Sequence, residues 1–443
     1  MLNLEILKRD LSSLLGFSPK EPNIQIGRIA GSFFQNEKLT DSELNHHVHI
    51  VGASGFGKTV LLTKIMKSRL TRGQGLLWID LKGDVDTIQE MIKTVKESGR
   101  GKDLKIFSIS HPELTGSYNL LQNGDATELR DKLMGSFEWS NEFYKDQAAS
   151  YLLKLFMGLT WLREHQQYRF DLATVLESIT NPEFVEELCL KIPESALQIK
   201  RLMEDLYSYI NNKTSYENLS GLRAHLESLV LSNFGKFLKE SPDGINLFQA
   251  VKNQQVAFIF LDSRRYKATA KAIGRLIVQD IIATSARIDA EIPKSKRKPF
   301  VCFIDEFADL ATPDFISFPD RARSSKMSLV LSHQEIADLK AVDENFATRL
   351  TANMATLYAF LQSNPDSAEA IASRGGTKSV LRATEKTKRM LFWDVPTGEK
   401  SLRQTEEFNI HPNTIKSLGV GECVVIKKYP RAVAYKVRVN PEV

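Results

Sequence analysis

The sequence predicts an α/β fold, a mainly parallel sheet interrupted by an all-helical insertion. Three observations carry that expectation. A short apolar run, Val48 to Val51, stops at a glycine-rich turn and is followed by apolar residues at helical spacing. Apolar runs and helical stretches then alternate, which is the rhythm of parallel strands joined by crossover helices. From about Asp125 to Leu238 that rhythm gives way to helical periodicity with almost no strand signal, a stretch too long to be a connection. The predicted division is an entry segment, 1–47, a nucleotide-binding domain formed by 48–124 and 239–443, and an inserted all-α domain, 125–238.

The turn after Val51 reads Gly52-Ala53-Ser54-Gly55-Phe56-Gly57-Lys58-Thr59, a G-x-x-x-x-G-K-T phosphate loop between a strand and a helix. Its glycines let the backbone close around phosphate, and the helix N-terminus adds N–H groups and a positive dipole end. Lys58 is expected at the β/γ-phosphates of ATP and Thr59 at Mg²⁺.

In chain order, Leu2 to Leu15 predicts an amphipathic helix, and Ile24 to Gly27 and Gly31 to Phe34 predict short strands. His46, His47 and His49 lack a nearby cysteine or carboxylate partner, and alternation divides them, so they read as structural. Gly75 to Asp80 predicts a strand ending in an acid, Thr87 to Lys96 a helix and Leu104 to Ile109 a strand. Asn181-Pro182, Ile192-Pro193 and Asn211 to Lys213 punctuate the helical stretch. Val256 to Leu261, Phe300 to Asp305, Met327 to Ser332 and Thr356 to Leu361 predict further strands, with a helix over Ala268 to Ser285. Phe408 to Ile410, Gly421 to Lys427 and Ala432 to Val439 are expected as edge strands.

Four apolar residues, Val301 to Ile304, end in Asp305-Glu306. A phosphate loop needs such an acidic element: Asp305 to hold Mg²⁺ through its water shell, Glu306 to act as general base on water. Ser328 to Ser332 leads into His333-Gln334, and a glutamine at a strand's carboxyl end can sense the γ-phosphate or the lytic water. Arg323, and after it Arg321, are candidates for an arginine supplied to a neighbouring subunit. Asp80 and Lys82 end the second strand and are candidates for the same cleft. Asp309 reads as a surface or capping acid, and Arg264 to Lys267 as a helix start with the composition of a single-strand contact.

Composition narrows the class. The chain has 443 residues, enough for roughly two or three domains, and a net charge of +5, which permits a nucleic-acid partner without requiring one. Cys189, Cys302 and Cys423 are far apart, the last two in apolar runs, which predicts a reducing compartment and no disulfide framework. No stretch approaches the ~18 apolar residues of a membrane span.

The order of these elements resembles the type IV coupling proteins, the conjugative DNA-transfer ATPases related to the FtsK/HerA translocases. The resemblance rests on His49 to Thr59, Trp78 to Asp84, the helical insertion, Phe260 to Ser263, Phe303 to Leu310 and Ser332 to Gln334. It extends through Ser363 to Ile371, Thr397-Gly398, Ser401 to Arg403, Glu407 to Asn413 and Gly421-Glu422. It implies a RecA-like P-loop core, a homo-hexamer with ATP between subunits, single-stranded DNA through the centre, and an insertion that engages relaxosome or relaxase proteins. It assigns Lys58 and Thr59 to the phosphate loop, Asp305 and Glu306 to magnesium and base, Gln334 to the sensor and Arg323 to the neighbour's site. The expected role is delivery of relaxase-bound DNA to a type IV secretion channel. The alternatives are a double-stranded DNA translocase and a nucleotide-gated docking platform. Members of that family usually begin with a membrane anchor, so the expectation is a cytoplasmic chain brought to the inner membrane by partners, or a fragment lacking its anchor.

Overall fold

The computed structural model describes residues 22–32, 34–343, 345–390 and 393–440, with 382–403 described by backbone alone. The helix expected over Leu2 to Leu15 lies outside those residues. The chain opens with β1 (Asn23–Ile29), β2 (Asn36–Thr40), α1 (Asp41–Asn45), β3 (Val48–Val51) and α2 (Lys58–Thr71). It continues through β4 (Gly75–Asp80), α3 (Val85–Glu97) and β5 (Leu104–Ser108). The helical stretch holds α4 (Ala126–Ser136), α5 (Glu142–Gln166), α6 (Leu172–Thr180), α7 (Pro182–Leu190), α8 (Leu197–Asn211), α9 (Lys213–Asn218) and α10 (Ser220–Val230). After α11 (Leu247–Asn253) come β6 (Val256–Phe260), α12 (Lys267–Glu291), β7 (Phe300–Ile304), α13 (Phe318–Ala322) and β8 (Met327–His333). The remainder is α14 (Phe346–Asn353), β9 (Thr356–Ala359), α15 (Pro365–Arg374), the hairpin β10 (Thr377–Met390) and β11 (Trp393–Phe408), α16 (Pro412–Lys416), β12 (Glu422–Lys427) and β13 (Val433–Val439).

These elements form two compact units, one of residues up to 65 and from 333 onward, the other of residues 66–332. In the second unit the strand order is β8-β7-β4-β6-β5, and every pairing is parallel. β4, β6, β7 and β8 are buried along their whole length. That explains their unbroken apolar runs: crossover helices cover both faces of a parallel sheet, so no residue needs to alternate toward water.

Helices α4 to α10 also lie in the second unit, and the expected punctuation falls at their ends. Asp125 caps α4 with a capping box to Glu128, Asn181 caps α7 with Pro182 at its first position, and Asn212 caps α9. A buried triad ties α4 to α12. Lys132 Nζ lies 2.6 Å from Asp280 Oδ1 and donates to the Leu120 carbonyl at 2.9 Å, while the Tyr118 hydroxyl donates to Asp280 Oδ2 at 2.7 Å. With each buried charge paired, the triad fixes how the two helices meet.

In the first unit the order is β2-β1-β13-β12-β9-β3, and only β3 with β9 is parallel. A second buried network sets this sheet: Lys427 Nζ lies 2.8 Å from Glu37 and 3.0 Å from Glu43, and Tyr358 donates to Glu37 at 3.0 Å.

Strand expectations are corrected here. Phe408 to Ile410 is not a strand of its own: Phe408 is the last residue of β11, and Asn409 and Ile410 form a bend after it. Gly31, Ser32 and Phe34 are not in a strand, Phe33 lying outside the described residues: Gly31 turns the chain at φ +78° and β2 begins at Asn36. β12 and β13 are not edges: β12 is paired on both sides, by β9 and β13, and β2 is the edge. The reason is that β1 returns to pair with β13, a long-range contact without a local signal. The β10–β11 hairpin was not expected, because Thr377 to Met390 is largely polar at both alternating positions and shows no period of two.

Candidate nucleotide site

The residues singled out from sequence divide between the units. Gly52 to Thr59 and Gln334 lie in the first; Asp80, Lys82, Asp305, Glu306, Arg321 and Arg323 lie in the second.

In the first unit, β3 ends at Val51 and α2 starts at Lys58, so the phosphate loop is the connection between them. The loop is anchored from three directions. Gly52 N donates to the Gln334 carbonyl at 3.0 Å and to the His333 carbonyl at 3.3 Å, Ala53 N donates to Leu361 O at 3.0 Å, and Gly421 N donates to Phe56 O at 3.1 Å. Gly52 is required by close approach: a Cβ there would stand 2.4 Å from Phe360 Cβ. A Cβ at Gly57, at φ +114°, would meet the same ring at 3.1 Å. Phe360 is therefore the wall that moulds the loop. Ser54, Gly55 and Thr59 are exposed, and Ala53 and Phe56 are half-buried.

Lys58 is buried, 5% exposed. Its ammonium donates to the Gly52 carbonyl at 2.5 Å and to Ala53 O at 3.3 Å, folding back over the loop it belongs to. These carbonyls are neutral, so a phosphate can draw the lysine away from them. A glycine cradle, a helix N-terminus and a lysine inside the loop fit a nucleotide's phosphates, and the Thr59 hydroxyl fits a hard cation.

Gln334 follows β8, with its side chain exposed. Its main chain is fixed: besides Gly52 N, its carbonyl accepts from Gln362 Nε2 at 2.8 Å, and Gln362 is itself fully buried. His333 is also buried. Its Nε2 lies 2.6 Å from His49 Nε2, and its Nδ1 donates to the Glu335 carbonyl at 2.9 Å. Burial pulls His333 down to about 4, with the Lys58 charge lowering it further and the Glu335 contact opposing. His49 is held well below the ordinary histidine range, first by burial, then by the charges of His333 and Arg374. His46 stacks on Tyr429 instead, and His47 adopts φ +68°, so the three clustered histidines serve different neighbours.

In the second unit, β7 delivers Asp305, 4% exposed, with its N–H donating to the Ile79 carbonyl at 2.9 Å. Glu306 then turns into the left-handed region at φ +54°, which costs a residue with a Cβ about 1–2 kcal/mol. Strain of that kind gathers at functional positions. Lys82 stands between the two acids, 3.0 Å from Asp305 Oδ2 and 3.2 Å from Glu306 Oε1. Burial alone would lower Lys82; the two carboxylates outweigh it and hold the ammonium above its ordinary range. Asp80 Oδ1 accepts the Lys82 N–H at 2.8 Å, and burial, with the nearby Asp305 charge, raises its carboxyl to about 6. Among the described residues no three His, Cys, Asp or Glu side chains are grouped to hold a metal ion, and the Lys82 ammonium stands between Asp305 and Glu306.

Arg323 sits at the end of α13, half-exposed and paired with Asp320, and Arg321 is exposed on the same turn. Arg264 donates to the Lys82 carbonyl at 3.1 Å, and Asp309 is exposed. Sequence reasoning missed Phe360, Gln362, Gly421, and His49 with His333 as a pair. Their roles come from strands that are distant in sequence. The one available signal was His333, a polar residue between a buried apolar run and Gln334.

A family model described as the TraM recognition site of TraD and TraG matches residues 299–418, which contain Asp305, Glu306, Arg323 and Gln334. The type 4 coupling protein DotL of Legionella pneumophila is 20% identical over 89% of this chain and 55% of its own, so the chain spans about half the length of that relative. The unbound bacterial conjugative coupling protein TrwBΔN70 superposes with a TM-score of 0.66 at 16% identity, covering 96% of this chain and 90% of that one. TrwB in complex with ADP and Mg²⁺ gives 0.65 at 16% identity over 97% and 96%. VirB4 of Thermoanaerobacter pseudethanolicus gives 0.59 at 14% identity over 96% and 98%. The shared fold is the RecA-like P-loop core.

Proposed function

We propose that this chain, a member of the type IV coupling protein family, is an ATP-driven motor that passes relaxase-bound single-stranded DNA to a type IV secretion channel. The observation that carries the reading is the pairing of chemistries: a phosphate loop moulded on Phe360, and a tandem Asp305-Glu306 at the end of a fully buried strand. Lys58 would exchange its loop carbonyls for the β/γ-phosphates. Thr59 and Asp305 would hold Mg²⁺, which when bound offsets charge on the phosphates. Glu306, oriented by Lys82, takes the proton of the attacking water, and Gln334 meets the γ-phosphate or that water. Arg323 is half-exposed and suited to serve a neighbouring subunit in a hexamer. The helices from α4 to α10 form the docking domain for relaxosome proteins. Among the described residues no helix is long and apolar enough to cross a membrane; attachment at the inner membrane is assigned to partners.

The test is steady-state ATP hydrolysis with and without single-stranded DNA, with Lys58→Ala as control. Stimulation by single strands, abolished in the variant, is the expected result. Preference for duplex DNA would favour a double-stranded DNA translocase. A second reading, a nucleotide-gated docking platform, draws support from the recognition-site family model. It requires that Glu306→Gln, inactive in hydrolysis, still supports substrate transfer.

A further inference from the structure

The phosphate loop and the sensor glutamine meet at one peptide. The Gly52 carbonyl holds the Lys58 ammonium, and the Gly52 N–H holds the Gln334 carbonyl. Three residues before Gly52, on β3, His49 reaches the ring of His333, the residue immediately before Gln334. The bonding defines the tautomers. His333 Nδ1 faces a carbonyl and must donate, so in the neutral ring its Nε2 accepts, and the proton in the 2.6 Å contact belongs to His49 Nε2. Both rings are fully buried, and among the described residues His49 Nδ1 has no partner. This contact between imidazoles therefore pins His333 to β3 within the first unit, independently of the main-chain bonds.

We propose that His49 and His333 are positioning residues that couple occupancy of the phosphate loop to the orientation of Gln334. A phosphate that draws Lys58 from the Gly52 carbonyl changes the balance of bonds at that peptide. The histidine pair keeps His333 from following Gly52, so the adjustment is taken up at Gln334, whose side chain is exposed and free to re-aim. The coupling rests on the nucleotide reading above and adds to it two residues that carry no phosphate contact themselves.

A double-mutant cycle tests it. His49→Leu removes the donor; His49→Gln retains an N–H near the imidazole Nε2 position. The expected result for His49→Leu is a fall in kcat of about tenfold with KM for ATP within about twofold, no further fall in a Gln334→Ala background, and recovery in His49→Gln. The same fall in both backgrounds, or a parallel loss of ATP binding and folding stability, would assign the pair a purely structural role and overturn the proposal. A readout that needs no hydrolysis accompanies it: the side-chain amide signal of ¹⁵N-glutamine-labelled protein, assigned by its disappearance in Gln334→Ala. A non-hydrolysable ATP analogue should shift that signal in the wild type and not in His49→Leu. An equal shift in both proteins, or none in a wild type that binds the analogue, overturns the coupling. A wild type that binds without hydrolysing removes the motor and leaves the coupling decided by the shift. Failure to bind the analogue overturns the nucleotide reading before any variant is compared.

Discussion

The phosphate loop and the acidic pair, each within its own unit, are held by opposite means. In the unit of the phosphate loop, the site is made of shape and neutral backbone. Gly52 fits against Phe360 because it has no Cβ, and Lys58 rests on carbonyls. In the unit of the acidic pair, the site is made of charge: Asp80, Asp305 and Glu306 gather around Lys82, and Glu306 is held in a strained turn. In the first unit a phosphate would compete with neutral carbonyls for Lys58, whereas in the second a cation would compete with an ammonium already in place. The histidine pair follows the same division, since it is buried, neutral and on the side of shape.

The largest effect that would sharpen this contrast belongs to charge. Glu306→Gln should lower kcat on the order of a thousandfold while nucleotide affinity stays within about twofold, read by steady-state hydrolysis and fluorescent-nucleotide titration. Equal loss in both would mean that the acid shapes the binding site as well.

Next comes acid. His333 is held near 4 against an ordinary 6.5, so between those values the unfolded chain binds a proton that the folded one refuses. Its contribution is therefore present above about pH 6.5 and lost as pH falls toward 4, about 3 kcal/mol in all. His49 acts in the same direction, and the groups that bear on the pair are Lys58, Glu335 and Arg374. Asp80, raised to about 6, titrates in the same window with the opposite sign, so the contribution is read as the difference in urea stability between wild type and His333→Gln, which should fall from pH 7.5 to about 4; a difference independent of pH would place the acid sensitivity elsewhere.

Gly52→Ala should weaken nucleotide binding about a hundredfold, because the added Cβ would stand 2.4 Å from Phe360 and the loop must move. Gly55→Ala is the contrast. Nothing stands within 4 Å of its added Cβ, so only the cost of φ +81°, about 1–2 kcal/mol, applies. If the two are equally damaging in the same titration, backbone conformation rather than the Phe360 wall controls the loop.

The smallest change is expected at Lys82, whose side chain is 39% exposed. Lys82→Met should lower the stability of the nucleotide-free protein by about 1 kcal/mol in thermal unfolding, because two carboxylates lose their counter-ion. No loss, or a gain, would show that water already screens the pair.

The sequence by itself determined whatever depends on neighbours along the chain. The parallel strands were legible because burial on both faces leaves an unbroken apolar run, and β7 ends where Asp305 and Glu306 begin. Helix ends were legible at Asp125, Asn181 and Asn212 because a cap acts on N–H groups two or three residues away. The phosphate loop was legible because the spacing of its glycines, Lys58 and Thr59 is local to one turn. Only the tertiary structure decided that Phe360 walls the loop, that Gln362 holds the Gln334 carbonyl and that His49 meets His333. It also decided that Lys82 bridges the two acids and that β1 and β13 pair, leaving β2 at the edge. Each of these joins residues that only the sheet brings together. Pairing across a sheet is chosen by the packing of the whole, and no local propensity records it.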